Sequence, residues 1–423
     1  MLFRERLWVR ACLTVSVPVG NNAFATRKQT CTPLQISTTM ASLRLIQTSD
    51  WHFGQQFGTV EPSLASRLRQ ARADAVEQVL QTAERTSADL VLVAGDQFDG
   101  SMPERCLVDA MLQQVAAHSD VSVHMIPGNH DPCEPGSVYD CQYFAREKPP
   151  NLHLHRKYEP ISLPGHGATL FPCPCVCRFG DRDPMDWIPA RRADDGWRIG
   201  LAHGSLPWCA DPGHRNFPIA DDAPSRFDLD YVALGDWHSP TPDPSERPHE
   251  RMYYAGSPEI GGWDEMRGGY ALEVVLDSKT GSCATAHRVG RFEWSELSVE
   301  LYTADDLHKL QNRLTALASP TRLLRVLARG ILSPSDQLQL EQLASSVARL
   351  FAQLSVRSDD IRTNLETDDH VPQDPWLREV HRRLLKLTED QNDGLPKKIP
   401  RDLCPIDAEI ARRALGRFLS YLP

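Results

Sequence analysis

The chain has 423 residues, 41% of them hydrophobic and 24% charged, with a formal net charge of −10. That is the balance of an ordinary globular protein, long enough for two domains or for one large domain with an appendage. The negative charge excludes global electrostatic attraction to nucleic acid, because non-specific binding rests on neutralising phosphates with Lys and Arg. Any nucleic-acid affinity must come from a local basic patch, from metals or from a partner.

Residues 1–39 carry Arg4, Arg6, Arg10, Arg27 and Lys28 against one acid, Glu5. The apolar stretch from Ala11 to Val19 is broken by Thr14, Ser16 and Pro18, far short of the about 20 apolar residues that cross a membrane. The segment reads as an unstructured upstream extension, since Met40-Ala-Ser leads straight into the first strand; a transit or secretory signal is the other reading. From Leu43, a short apolar run predicts a buried strand that stops at Ser49 and is followed at once by Asp50 and His52. If the strand continues by one step, both side chains point the same way. A carboxylate and an imidazole aimed together at the carboxyl end of a strand suggest a metal, and in open α/β sheets that edge is where ligands bind.

The pattern repeats. Ser66 to Glu84 has helical spacing and leads to a strand at Ala88–Val93, which runs into Gly95-Asp96-Gln-Phe-Asp99. A helix over Pro103–Ala117 precedes a strand at Val121–Ile126, which runs into Gly128-Asn129-His130-Asp131. Arg198–Ala202 delivers His203, and Tyr231–Leu234 delivers Gly235-Asp236-Trp237-His238. Each strand ends in Asp, Asn or His, often with Gly where the backbone must turn sharply or approach an ion. The β-α-β spacing predicts mainly parallel pairing. Further strands are expected at 152–164, 168–178, 252–256, 269–276 and 284–289.

Eleven cysteines are scattered without a framework. Cys173, Cys175 and Cys177 alternate, whereas zinc sites space their ligands by two to four residues. They are read as a reduced, partly buried edge strand, which fits an intracellular, reducing compartment. From about Leu297 the character changes. Ala304–Leu317 and Ser335–Leu350 read as helices, and Arg322–Ala328 and Phe351–Arg357 as strands. Pro375–Leu387 and Asp407–Leu422 are helical patterns, and the latter carries an apolar stripe of Ile410, Ala414, Leu415, Phe418, Leu419 and Leu422. That stripe either docks a partner or covers the chain's own small domain.

In this order, Asp50-x-His52, Gly95-Asp96-x-x-Asp99, Gly128-Asn129-His130-Asp131, His203 and Gly235-x-x-His238 resemble the motifs of calcineurin-like metallophosphoesterases. With Tyr254-Ala-Gly-Ser-Pro258 and Gly268–Leu276, the likeness extends from Leu43 to Asp277 and is greatest to the nuclease subunit of bacterial SbcCD. The resemblance implies an α/β fold: a four-layer α/β/β/α sandwich over 40–296, a small α+β capping domain over 297–365 and a C-terminal helical tail over 366–423. It also implies two divalent ions bridged by Asp96, with Asp50, His52 and His238 on one and Asn129, His203 and Asp236 on the other. His130 would stabilise the phosphorane or protonate the leaving oxygen, oriented by Asp131, while Asp99 would be an outer or helix-capping group.

One position departs from the family pattern: Asp236 stands where His is usual. A carboxylate there would still ligate and favours a harder ion such as Mn²⁺ over Zn²⁺, with Fe²⁺ and Zn²⁺ the alternatives to Mn²⁺. The leading expectation is therefore a cytoplasmic, Mn²⁺-dependent DNA exonuclease or endonuclease subunit in DNA repair, working with an SMC-like ATPase bound through the cap and C-terminal helices. A homodimer is implied by analogy. The alternatives are a phosphodiesterase or phosphatase of small phosphoesters, and a low-activity scaffold regulating the ATPase.

Overall fold

The computed structural model describes residues 42–192, 195–209, 215–363 and 374–389. The 1–39 extension and the apolar stripe of 407–422 lie outside them. The first half of the chain forms β1 (Leu43–Thr48), α1 (Pro62–Thr86), β2 (Leu90–Ala94), α2 (Arg105–Ala117), β3 (Val123–Ile126), α3 (Gln142–Glu147), β4 (Leu152–Leu154), β5 (Ile161–Leu163), β6 (Ala168–Cys173) and β7 (Trp197–His203). It continues with α4 (Ala223–Arg226), β8 (Tyr231–Gly235), β9 (Met252–Tyr254), β10 (Tyr270–Asp277) and β11 (Gly281–Arg288). The last part holds β12 (Glu293–Leu301), α5 (Ala304–Leu317), β13 (Arg322–Leu332), α6 (Pro334–Val347), β14 (Gln353–Thr363) and α7 (Pro375–Glu389).

The fold is mixed α/β. One sheet has the order β11-β10-β1-β2-β3-β4, the second β5-β6-β7-β8-β9. In the first, β1 through β4 run parallel and β10 returns antiparallel against β1. In the second, β6 through β9 run parallel. Strand alternation assigns each side chain to a face. Leu43 and Leu45 of β1 and Leu90 and Leu92 of β2 turn toward Leu170, Ile199, Leu201 and Tyr231 of the other sheet, and so form the core between them. Ile46, Val91 and Val93 face the opposite way, onto Val76, Val79 and Leu80 of α1 and Met111 and Val115 of α2. Phe171, Cys173, Val232 and Leu234 line the outer face of the second sheet, where loop residues Met185 and Ile188 cover them. Gln47 is the polar exception in the central core. Its amide donates to the carbonyls of Leu234 (3.1 Å) and Tyr253 (2.7 Å) and accepts from the Tyr231 hydroxyl, so its buried groups are satisfied across the two sheets.

Three expectations are corrected. The run 152–164 divides between β4 of the first sheet and β5 of the second. The cysteine-bearing strand β6 is no edge, since β5 and β7 pair on either side of it; alternation records which face a residue takes, not which strands flank it. Finally, β12 pairs in parallel with β13, and β13 with β14, so the boundary expected after residue 296 falls within β12.

A third apolar cluster lies under α5 and α6 on this three-stranded sheet. Its junction with the first part is apolar too: Phe57, Leu64 and Leu68 pack with Ile260, Phe292, Trp294 and Leu323. The buried Glu259 carboxylate accepts the Arg291 (2.6 Å) and Phe292 (3.2 Å) amides at the entry to β12.

His118, just past α2, lies between Glu84 (2.7 Å) and Glu77 (3.0 Å) of α1. Burial pulls its pKa down, but the hydrogen bonds it donates to the two glutamates prevail and raise it above 6.5. A raised folded value means that the stabilisation is complete below pH 6.5 and fades as pH rises through that value. His118→Gln should therefore cost about 1 kcal/mol at pH 6, and the gap should narrow by pH 9. Urea unfolding at the two pH values measures it.

Candidate metal centre

The functional side chains sit where parallel strands end. After β1, the backbone runs beside the turn after β2: the amides of Asp50 and His52 donate to the carbonyls of Gly95 and Asp96, each at 3.0 Å. Asp50, His52, Asp96 and Asp236 all have left-handed backbone, with φ of +54°, +44°, +55° and +104°. Non-glycine residues adopt that region at a cost, and such positions cluster at functional sites. Two glycines are required by crowding. A Cβ on Gly95 would lie 2.3 Å from His203 Nδ1, and one on Gly128 would lie 2.1 Å from Asp96 Oδ1.

The expected residues are brought together. Ligand atoms of Asp50, His52 and His238 lie within 4.8 Å of one another, and so do those of Asp50, Asp96 and His203 and those of His52, Asp96 and His130. Asp50, His52 and Asp96 each belong to two of these groups. His203 Nδ1 donates to the Ala94 carbonyl at 2.8 Å, and its Nε2 faces Asn129 Oδ1 at 2.8 Å and Asp96 Oδ2 at 3.5 Å. Asp236 Oδ2 accepts from the Ser205 hydroxyl at 2.7 Å, while Oδ1 faces His203 Nε2 at 3.9 Å. His238 Nε2 lies 3.3 Å from His52 Nε2 and 3.7 Å from Asp50 Oδ1.

The donor set fits divalent cations. His238 Nδ1 donates to the Glu265 carboxylate at 2.6 Å, which turns its Nε2 toward His52 and Asp50. The Nε2 atoms of His238 and His52 lie 3.7 Å from the buried carboxylates of Asp50 and Asp96 respectively, so two imidazole nitrogens and two carboxylates face one space. Carboxylate, amide and imidazole donors suit hard to borderline ions.

The electrostatics follow from burial and crowding. Burial and the neighbouring Asp50 push the Asp96 carboxyl up to about 7, against the opposing pull of His203. Burial and the His238 ring drop His52 well below 6.5. Burial works against protonation of His203, but Asp96, Asp50 and Asp236 carry it up to about 9. The Glu265 hydrogen bond likewise overcomes burial and lifts His238 to about 10.

His130 lies at the rim, about one third exposed, with its ring edge-on to His52 at 4.8 Å between centroids. Its orienting group is corrected. Asp131 does not touch the ring; it accepts from the Gly128 amide (2.9 Å), the Phe98 amide (2.9 Å) and the Tyr139 hydroxyl (2.6 Å), and so fixes the backbone of two ligand-bearing loops. The His130 Nδ1 instead faces Asp99, 3.4 Å from its carbonyl and 3.8 Å from its carboxylate. Asp99 Oδ1 also lies 3.4 Å from His52 Nδ1, and α2 begins after Glu104, so Asp99 caps no helix.

Three further residues shape the centre: Ser257 lies in the Tyr254–Pro258 motif, whereas Glu265 and Arg72 belong to no motif of the sequence. Glu265 holds His238, and its second oxygen accepts the Gly261 amide at 2.7 Å. Arg72 of α1 is buried and donates to the carbonyls of Asp50 (3.3 Å) and Trp51 (3.1 Å) and to Ser257 Oγ (2.9 Å). Ser257 in turn donates to the Asp50 carbonyl at 2.9 Å. Arg72 did leave a trace in the sequence, as a charge beside Leu68, Ala71, Ala75 and Val76 in the buried stripe of its helix.

Acid, amide and imidazole donors gathered at the strand ends of two packed sheets form a candidate divalent-metal centre. Residues 43–240 match the calcineurin-like phosphoesterase family, and this domain of the chain belongs to it. Among its relatives, the SbcD subunit of the nuclease SbcCD from Bacillus subtilis (strain 168) is 26% identical over 284 residues, covering 58% of this chain and 69% of that protein. The SbcD subunit of the same nuclease from Escherichia coli (strain K12) is 38% identical over 96 residues, 21% of either chain. The uncharacterized metallophosphoesterase YhaO of B. subtilis is 24% identical over 289 residues, 64% of this chain and 66% of that one. The match thus spans about two thirds of two of these relatives and about a fifth of the other.

Glu265→Gln keeps the shape of the group that holds His238 but removes its charge. It should weaken divalent-metal binding by about 10- to 100-fold, measured by equilibrium dialysis with metal analysis. Gly128→Ala should abolish binding at the Asp96 carboxylate in the same assay, because the added methyl occupies the place of Oδ1.

Proposed function

We propose that the chain is a Mn²⁺-dependent DNA nuclease subunit that hydrolyses phosphodiester bonds. The observation that carries this reading is the convergence of Asp50, His52, Asp96, Asn129, His203, Asp236 and His238 from both sheets on one point, in a domain whose relatives include proteins named as nuclease subunits. Asp50, His52, Asp96 and His238 would hold one ion, and Asn129, His203 and Asp236 would complete the second around Asp96. Bound there, the ions would supply a nucleophilic water and charge stabilisation at phosphorus.

The chain's own residues supply the rest. His130, at the open rim, would donate a proton to the leaving oxygen, its Nδ1 turned toward the Asp99 acceptors so that Nε2 is left for the substrate. Asp131 and Tyr139 hold the loop that presents it. The SMC-like ATPase partner is assigned to the three-stranded domain and the segments after it, and a cytoplasmic location and homodimer follow the same analogy. Asp236 and the charge of −10 favour the second reading, a small phosphodiester as substrate.

The test is hydrolysis of end-labelled linear DNA by the full chain with Mn²⁺, beside Asp96→Ala. Cleavage that falls at least 100-fold in the variant supports the nuclease. Hydrolysis of bis-p-nitrophenyl phosphate without cleavage of DNA moves the substrate to a small diester. Loss of neither activity in Asp96→Ala overturns the metal centre.

A further inference from the structure

Beyond β6 the chain passes along the rim of the metal centre. The Cys175 amide donates to the Pro127 carbonyl at 3.0 Å, and its thiol reaches the His203 carbonyl at 3.7 Å, so the strand end is fixed against two ligand-bearing segments. The four residues that follow are exposed, and Phe179 leaves 75% of its surface open. A large apolar ring gains little from folding in that position.

The turn that carries it is nonetheless rigidly held. The Asn216 side chain clamps the backbone on both sides of Phe179: Oδ1 accepts the Gly180 amide at 2.9 Å, and Nδ2 donates to the Arg178 carbonyl at 3.0 Å. The Phe217 amide donates to the Gly180 carbonyl at 2.8 Å, and the Phe217 ring lies so close that a Cβ on Gly180 would meet it at 2.3 Å. The clamp is one hydroxyl from the centre. Asn216 N donates to Ser205 Oγ at 3.2 Å, and that hydroxyl donates to Asp236.

Arg178 brings the charge. Its guanidinium lies 6.0 Å from the Phe179 ring centroid. An exposed aromatic face, an adjoining guanidinium and a backbone already ordered are the components of a stacking platform for single-stranded nucleic acid. Because the loop is ordered before binding, little entropy is lost when a base settles on it.

We propose that Phe179 stacks an unpaired nucleobase of the substrate strand while Arg178 contacts a neighbouring phosphate, so that the centre acts on strands or ends whose bases are free. This rests on the phosphodiesterase reading above and adds the feature of the substrate that is recognised.

The test compares cleavage of labelled hexathymidylate with that of an abasic hexamer carrying the same phosphates, by the full chain with Mn²⁺, with methyl p-nitrophenyl phosphate as a substrate that has no base. The wild type should favour the base-bearing strand about tenfold in kcat/KM. Phe179→Ala should bring that ratio near one and leave hydrolysis of the small diester unchanged, whereas Phe179→Trp should keep the preference. Arg178→Ala should slow cleavage of both hexamers alike and make its salt dependence shallower. A Phe179→Ala ratio equal to that of the wild type, or no preference in the wild type, overturns the inference alone. Hydrolysis of the small diester with neither hexamer cleaved overturns the nuclease reading, and this inference falls with it.

Discussion

Like charges crowded into a dry site set the terms for the rest of the molecule. Asp50 and Asp96 are both almost fully buried, share one 4.8 Å cluster with His203, and have Asp236 beside them. Carboxylates that close repel strongly where water is excluded. The surrounding structure therefore has to hold each one by force. It does so with backbone hydrogen bonds between the turns after β1 and β2, with left-handed residues at the strand ends, and with glycines whose missing side chains leave room for the ligands. The apolar layers on both faces of the first sheet supply the rigidity that keeps these turns from relaxing.

Around this core the polar contacts form a second tier. Arg72 and Ser257 fix the carbonyl of Asp50, Tyr139 and Asp131 fix the loop of Asn129 and His130, and Glu265 fixes the ring of His238. Each acts on a ligand-bearing segment from behind, and each is buried where its hydrogen bonds meet little competition from water. The arrangement orients a ligand through its backbone as often as through its side chain, as Asp131 illustrates: it shapes two loops and leaves the neighbouring His130 ring to Asp99.

Much of this was legible in the sequence, for a physical reason. A parallel strand is a short apolar run, and the residues that follow it at once are carried to the same sheet edge, so Asp50, Asp96, Asn129, His203, Asp236 and His238 could be read as neighbours before any pairing was known. Helices α1 and α5 were legible through their apolar spacing. What lay hidden depends on long-range packing. Glu265 sits in a glycine-rich loop with no periodicity, and only the fold brings it to His238. The flanks of β6 and the membership of β12 are facts of pairing, which a side-chain pattern does not record. The orienting role expected of Asp131 followed chain adjacency, whereas His130 and Asp131 point to different neighbours.

The ligands run from Asp50 to His238 and come from both sheets, which gives the centre a place in folding as well as in chemistry. The full set needs both sheets in place, so it is absent from the unfolded chain. A cation that binds only the assembled state draws the folding equilibrium toward it as its concentration rises. It would also offset the carboxylate repulsion that opposes closure of the two sheets. An ion bound there would offset the strain stored at the strand ends and act as a fastener between the halves of the domain.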